Sequence, residues 1–415
     1  MSDIIVGLDI GTSNVRVVIA ELNELGKLQV IGVGKSLSTG LRSGLVVNID
    51  ATMKAIEKAV EDAEMMAGCE VKSVFISLGG SQIESQNSKG FVAVAQKAKD
   101  SREITEDDIA RVIQASQAIA IPLDREILHV IPQEYIIDGS QRTKEPLNMI
   151  GVRLESEVHI ITASVSPMQN IIKCVKRAGY DIDGIMLKTL AATESVMTEE
   201  EKDLGSILID LGGGTTDVLV VLGGAPICTA TIPIGGIFVT SDISTVRGVS
   251  IETAETIKLS DGCCWEGLLS DDEYFLIPGI GGRPPEQVSR KELCEIMQPR
   301  VEEILTMVKE KVYQLTKLKK LSGNVVLTGA GALMPGIIEL AQDVFDTASV
   351  RIGTSANLGN VTDAYRSADF ATATGLLVAF KDRLEVKSQG QGASLPVAQK
   401  NSVLKSIGSF FKEFF

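Results

Sequence analysis

Histidine is nearly absent from this sequence, and its cysteines follow no pattern. His129 and His159 stand alone, and Cys69, Cys174, Cys228, Cys263, Cys264 and Cys294 show no C-x-x-C spacing. That argues against a zinc site and a disulfide framework, and the thiols are expected to be free in a reducing cytoplasm. Adjacent Cys263 and Cys264 lack a basic neighbour that would lower a thiol pKa, so redox chemistry is not expected of them. Basic residues are outnumbered, 40 Lys and Arg against 54 Asp and Glu, for a formal charge of −14. Such a surface repels nucleic acid and anionic membrane over most of its extent, so membrane contact must come from a local segment. No apolar run approaches a transmembrane span. The start, MSDIIVGLDI, enters a strand at once without the basic and cleavable apolar segments of an export signal. Two common phosphate motifs are missing as well, since no G-K-[ST] and no G-x-G-x-x-G accompany the glycine-rich turns.

What is present is a repeat. Residues 9–16, DIGTSNVR, are echoed by DLGGGTTDV at 210–218, each between strand-like runs. Aligning the copies places Asp9 on Asp210 and Thr12 on Thr215. A chain of 415 residues exceeds what one hydrophobic core fills, so two lobes are expected, each opening with a strand, a Gly/Thr/Ser hairpin and a second strand.

Along the first copy the order reads β-β-β-α-β, which predicts a mixed sheet flanked by helices. The helix is marked by Met53, Ile56, Val60, Ala63 and Met66 and closed by Gly68. Residues 81–164 change character and read as an inserted α/β subdomain, in which Thr105 caps a helix whose first turn holds Asp107 and Asp108. The first lobe, 1–80, is completed by 165–203 and 365–387. The second lobe, 204–364, includes a polar, mostly helical excursion at 245–300 with the loop DDEYFLIPGIGGRPPEQ. In the long helix that follows, Pro299 is expected to kink it or divide it in two. Residues 388–399 read as a flexible linker.

The chemistry sits in the turns. Residues 11–14 and 212–216 allow backbone N–H groups close to a phosphate, with hydroxyls as further donors. Asp9, Asp210 and Asp217 stand at the adjoining strand ends. Mg2+ keeps several waters and takes one or two carboxylates plus phosphate oxygens, so Asp9 and Asp210 are candidate ligands through water and all three are candidate water-orienting groups. Their alternative role is to cap the same turns. A third glycine segment, GAGALMPG at 329–336, lies between a strand and a helix start, where a base or ribose could lie against its backbone and Met334.

In residues 400–415, Val403, Leu404, Ile407, Phe410, Phe411, Phe414 and Phe415 form one helical face, with Lys400, Lys405, Lys412 and serines opposite. Such a helix is about 24 Å long, too short to cross a hydrocarbon core of about 30 Å. It is expected to lie in a bilayer surface, the alternative being docking on the protein's own core.

With these residues in hand, the chain resembles the actin-like ATPase superfamily and, within it, the FtsA family of bacterial cell-division proteins. DIGTSNVR and DLGGGTTD match its two phosphate motifs and VVLTGAGALMPG its adenosine motif. The resemblance implies an actin-like two-lobed α/β fold, each lobe a mixed β-sheet flanked by helices, with the inserted subdomain and a C-terminal amphipathic helix. It also implies ATP with Mg2+ in the interlobe cleft, head-to-tail filaments of the chain itself on the inner membrane face, and tethering of the tubulin-like protein FtsZ alongside other division proteins. Carried over residue by residue, Gly11, Thr12, Ser13, Asn14, Gly213, Gly214 and Thr215 would meet phosphates, and Gly329, Ala330, Gly331 and Met334 would flank adenosine. Glu252, Glu255 and Lys258 would reach ribose and base, or else form a solvated helix face. Arg300 and Glu303 fall where the family receives the FtsZ C-terminal tail. One departure stands out: where chaperones and actin carry a Glu or Gln that orients the attacking water, this chain has Lys188 and Thr189. Nucleotide binding with weak or absent hydrolysis is therefore expected. The competing readings are a static pilus-assembly adaptor and a sugar-kinase-like phosphotransferase using Asp210 as base.

Overall fold

Two five-stranded sheets repeat one pattern. In the computed structural model, which describes residues 4–23, 26–95, 101–279, 284–318, 322–355 and 365–381, the first sheet is built from β1 (Ile4–Ile10), β2 (Asn14–Leu22), β3 (Leu28–Leu37), β4 (Ser73–Leu78) and, later in the chain, Asp181–Leu187. Its order is Asp181–Leu187, β4, β1, β2, β3, with β1–β2–β3 antiparallel and the other pairings parallel. Between β3 and β4 runs α1 (Ile49–Ala67), started by Asn48, whose side chain accepts from Ala51 N–H, and ended by Gly68 in the left-handed region at φ 66°. Its buried face is Thr52, Ala55, Ile56, Ala59, Val60 and Ala63, a small-residue stripe that lets the helix lie close on the sheet. Met66, expected on that face, is 55 % exposed. At 100° per residue, position 66 still points in the direction of Ala55 and Ala59, so its exposure comes from its place in the last turn of the helix, not from rotation.

The inserted segment forms its own antiparallel sheet from β5 (Ile83–Ala93), β6 (Arg125–Ile137), β7 (Gln141–Thr143) and β8 (Arg153–Ser164), in the order β7-β6-β8-β5. Across it lies α2 (Glu106–Ser116), entered through a capping box in which Thr105 and Asp108 each accept from the other's backbone N–H. The chain then returns to the first lobe as α3 (Val165–Arg177), β9 (Asp181–Leu187), α4 (Lys188–Val196) and α5 (Glu199–Leu204).

The second lobe opens with β10 (Ser206–Leu211), β11 (Thr216–Leu222) and β12 (Ala225–Ile232), followed by α6 (Gly236–Arg247) and α7 (Ile251–Asp261). The 245–300 segment is less helical than expected. Within DDEYFLIPGIGGRPPEQ, β13 (Tyr274–Ile277) pairs antiparallel with β14 (Glu286–Ser289), because alternate Phe275, Ile277 and Val288 find buried positions under that hairpin. Next, α8 (Arg290–Thr316) runs as one helix through Pro299. Pro299 and Glu295, whose carbonyl loses its partner, both lie on the exposed side, where the unpaired carbonyl costs little because solvent is within reach. The sheet closes with β15 (Val325–Thr328) and β16 (Val350–Ile352), separated by a 3-10 turn at Ala330–Leu333 and α9 (Ile337–Phe345). Its order, β12-β11-β10-β15-β16, reproduces that of the first sheet. Finally α10 (Ala371–Phe380) crosses back and packs on β1 and α4; a Cβ on Gly375 would strike the Ala191 carbonyl.

Both histidines hold the insert in place. His129 on β6 accepts from the Leu187 N–H at 2.9 Å, and His159 on β8 contacts Asn87 Oδ1 at 2.6 Å and Thr229 Oγ1 at 2.9 Å. Burial lowers their pKa values from 6.5 to about 3 and about 4 respectively. Each stays neutral in the folded state while the unfolded chain takes up protons below 6.5, so stability is full above that pH and is lost as pH falls toward the folded values. Denaturant titrations from about pH 6.5 to about pH 5, a window above the ordinary carboxyl range, are expected to show falling stability, with a flatter slope in H159Q. An unchanged slope in H159Q would remove the histidine from the account.

Candidate functional site

The two hairpins meet face to face. Asp9 pairs with Arg16 and Ile10 with Val15 in the first, Asp210 with Asp217 and Leu211 with Thr216 in the second. Each turn closes identically, Gly11 N–H to Asn14 carbonyl at 3.1 Å and Gly212 N–H to Thr215 carbonyl at 3.0 Å. The turns therefore have the same length, and Asn14, not Thr12, is the counterpart of Thr215. The Asp9 to Asp210 equivalence holds, whereas the position equivalent to Asp217 is Arg16. A Cβ on Gly213 would collide with Ser13 Oγ, and one on Gly214 would lie 2.9 Å from Thr12 Cγ2. Glycine is required here by close approach across the cleft. Among the described residues, the N–H groups of Thr12, Ser13, Gly213 and Gly214 make no intramolecular hydrogen bond, while the carbonyls of Gly212 and Gly213 are drawn away by the N–H groups of Gly236 and Ile237 at 2.9 Å. The turns thus present spare donors to the space they enclose.

Behind the turns lie the acids. Asp9 is buried and accepts from Ser77 Oγ at 2.7 Å. Asp217 is buried and well supplied, accepting from Gly80 N–H at 3.1 Å, Thr231 Oγ1 at 2.6 Å and Thr215 Oγ1 at 3.1 Å. Asp210 differs. Its carboxylate is 1 % exposed, and among the described residues neither oxygen has a directed hydrogen bond and the one charged neighbour at contact is Lys188 Nζ, 3.0 Å from Oδ2. Burial raises the Asp210 pKa, assisted by Asp217 and Asp9 and opposed by Lys188. Burial opposes the charge on Lys188, but attraction to Asp210, Asp9 and Asp217 outweighs it and raises that pKa. When all are ionised, three carboxylates face one ammonium. The orphaned acid and the spare amide donors face the same space; among the described residues no three of His, Cys, Asp and Glu are grouped to hold a metal ion directly, so a cation here would be held through water.

The third glycine segment abuts the same acid. Gly329 is in the left-handed region at φ 80°, and a Cβ there would collide with Asp210 Oδ1, while one on Gly331 would lie 2.7 Å from Leu211 Cβ. Ala330 is exposed beside them, and Met334 is half-buried against the second-lobe core. From α7, Lys258 Nζ contacts Glu255 Oε2 at 2.6 Å, Thr240 Oγ1 at 2.8 Å and the Gly236 carbonyl at 3.2 Å, which puts Glu255 and Lys258 beside the second turn. Glu252 is exposed and outside this network. Arg300 belongs to a separate place on α8, where it pairs with Asp242 at 2.6 Å and with Glu303. Val403, Leu404, Ile407, Phe410, Phe411, Phe414 and Phe415 lie outside the described residues, as does the linker.

Sequence reasoning did not find Ser77, Gly80, Thr231 or the pairing of Lys188 with Asp210. Ser77 had a usable signal, a polar residue at an inward position of VFISL followed by two glycines. Thr231 had none, because its partner is a strand pairing away.

The family model described as Cell division protein FtsA matches residues 207–375, and that of the SHS2 domain inserted in FTSA matches residues 80–162. Over 415 residues the chain is 42 % identical to Cell division protein FtsA of Borreliella burgdorferi, covering 100 % of this chain and 99 % of that protein. Among solved structures it is similar to the PilM-PilN type IV pilus biogenesis complex (TM-score 0.65, 15 % identity, 92 % of this chain and 98 % of that one). It is likewise similar to MreB5 of Spiroplasma citri bound to ADP (TM-score 0.51, 14 % identity, 93 % and 99 %). At those identities the likeness is one of fold, and that fold is the two-lobed actin-like one. Near-full-length identity with a curated relative shows more: this chain belongs to the FtsA family of bacterial cell-division proteins.

Proposed function

We propose that this chain is an ATP-binding division scaffold that assembles head-to-tail with further copies of itself on the cytoplasmic face of the cell membrane at the division site. There it tethers FtsZ filaments, together with other division proteins, and its C-terminal amphipathic helix is the membrane anchor. The observation that carries this reading is the pair of turns facing each other across two lobes, with unbonded amides over an orphaned Asp210. In this reading Thr12, Ser13, Asn14, Gly213, Gly214 and Thr215 receive the phosphates, and Gly329, Ala330, Gly331, Met334, Glu255 and Lys258 border the adenosine. MreB5 was solved with ADP, which supports nucleotide as the ligand of this fold. Bound Mg2+ supplies positive charge to the phosphate oxygens, with Asp9 and Asp210 as its holders through water.

Binding clamps the lobes and turnover is slow. At the head of α4, Lys188 is occupied by Asp210 and Thr189 is 1 % exposed, so neither stands where a Glu or Gln would orient water. Asp217 is tied to Gly80, Thr231 and Thr215 and serves the turn. Affinity without a positioned nucleophile suits a structural switch more than an enzyme cycle. Arg300 and Glu303, on the exposed side of α8, are the proposed contact for the FtsZ tail.

Two measurements test this. G213V, which would collide with Ser13 across the cleft, is expected to weaken binding of a fluorescent ATP analogue at least about tenfold, with circular dichroism unchanged. Equal affinity in the variant contradicts the placement of the phosphates. In vesicle pelleting, the full chain is expected to sediment with anionic liposomes and a chain ending at Ser388 to stay in the supernatant. Each buried large side chain contributes about 1.5–3 kcal/mol, and many tails on one filament add their effects. Equal pelleting of the two chains would end the anchoring proposal.

A further inference from the structure

Lys188 is placed for more than charge balance within the protein. It is the first residue of α4, and its stem lies along the Gly79 backbone, where a Cβ would stand 3.1 Å from Lys188 Cβ and 3.3 Å from Cδ. Its ammonium reaches Asp210 Oδ2 at 3.0 Å but out of line for a directed hydrogen bond, and it lies 3.8 Å from the position a Cβ on Gly212 would occupy. Gly212 opens the second turn. The ammonium therefore sits between the Asp210 carboxylate, at 3.0 Å, and the turn that carries spare amide donors.

An ammonium on a flexible stem has three donors and can serve a carboxylate and a second anion together. Hydrated Mg2+ would be drawn to the same carboxylates, and two cations sharing one acid repel each other. Mg2+ also gives up its waters reluctantly, whereas the lysine side chain is already largely shielded from water in the fold, at 16 % exposure. We infer that Lys188 is a built-in cation of the phosphate site, occupying part of the role a divalent metal would otherwise fill and allowing a polyphosphate to bind with reduced dependence on Mg2+. The inference rests on reading the cleft as a nucleotide site. It deepens that reading by assigning the residue that sets the metal requirement.

The test is ATP binding by the full chain and by K188M and K188R, each in Mg2+ and in EDTA. The unaltered chain is expected to lose less than about tenfold in affinity in EDTA, K188M more than about 100-fold, and K188R, which keeps the charge, to resemble the unaltered chain. A merely structural lysine would lower affinity equally in both conditions. The same EDTA penalty in the unaltered chain and K188M overturns the inference, as does loss of binding by the unaltered chain in EDTA with full binding in Mg2+. No ATP binding by the unaltered chain even with Mg2+ overturns the nucleotide reading beneath it, and the two failures are thus distinct.

Melting with Mg2+ alone, at constant ionic strength, gives a second readout. K188M leaves three acids without their cation, so it is expected to melt lower and to recover with Mg2+, while the unaltered chain barely responds. A parallel response in both overturns the proposal. Should K188M fail to fold, the ratio of affinities in Mg2+ and EDTA for the unaltered chain decides alone.

Discussion

Three buried carboxylates surround one largely shielded ammonium where the two lobes meet, and the surrounding architecture follows from keeping them there. Charges out of water must be paired or hydrogen-bonded. Asp217 is satisfied by three donors from two lobes, Asp9 has Ser77, and among the described residues Asp210 has only Lys188 as a partner at contact distance. The lysine must therefore come from the head of α4, the helix that leads from the first lobe toward the second. The glycines must come from both turns, since no side chain fits between Gly213 and Ser13. Duplicated sheets supply this arrangement economically: the same strand order twice, with each first hairpin pointed at the other.

The insert is attached to the same machinery through polar contacts. Ser85 donates to the Thr229 carbonyl at 3.0 Å, Asn87 to the Ile227 carbonyl at 3.0 Å, and Gln133 to the Pro226 carbonyl at 2.8 Å, all on β12. Two residues on, Thr231 of the same strand donates to Asp217. On the other side His129 receives the N–H of Leu187, the residue immediately before Lys188. The insert thus touches both lobes next to the acid cluster. Hydrogen bonds of this kind contribute modestly each and depend steeply on geometry, which makes such a joint specific without making it strong.

Much of this is legible in the sequence. The repeat, the order of the first lobe and the Gly68 and Thr105 caps follow from period, turn chemistry and local capping, all of which act over a few residues. What escaped was set at long range or by small differences of geometry. The Thr12 to Thr215 alignment matched side chains, whereas the hairpin hydrogen bonds match backbone, and backbone decides the turn. Pro299 reads as a kink or a division, and the helix is undivided there because the carbonyl it deprives lies on the exposed side. The 274–289 hairpin was hidden because proline and glycine surround it. In the cleft, Lys188 was visible only as a departure from an expected Glu or Gln; that it pairs with Asp210 depends on two elements 22 residues apart in sequence meeting in the fold, and no local pattern encodes that.

The central claim is that the facing turns and the acid cluster form one nucleotide site. A crystal structure of the chain with ATP and Mg2+ tests it most directly. The account predicts phosphates between residues 11–14 and 212–216, the cation near Asp210, and adenosine along Gly329–Gly331. Nucleotide bound elsewhere, or the cleft closed on itself with ATP in excess, would contradict it.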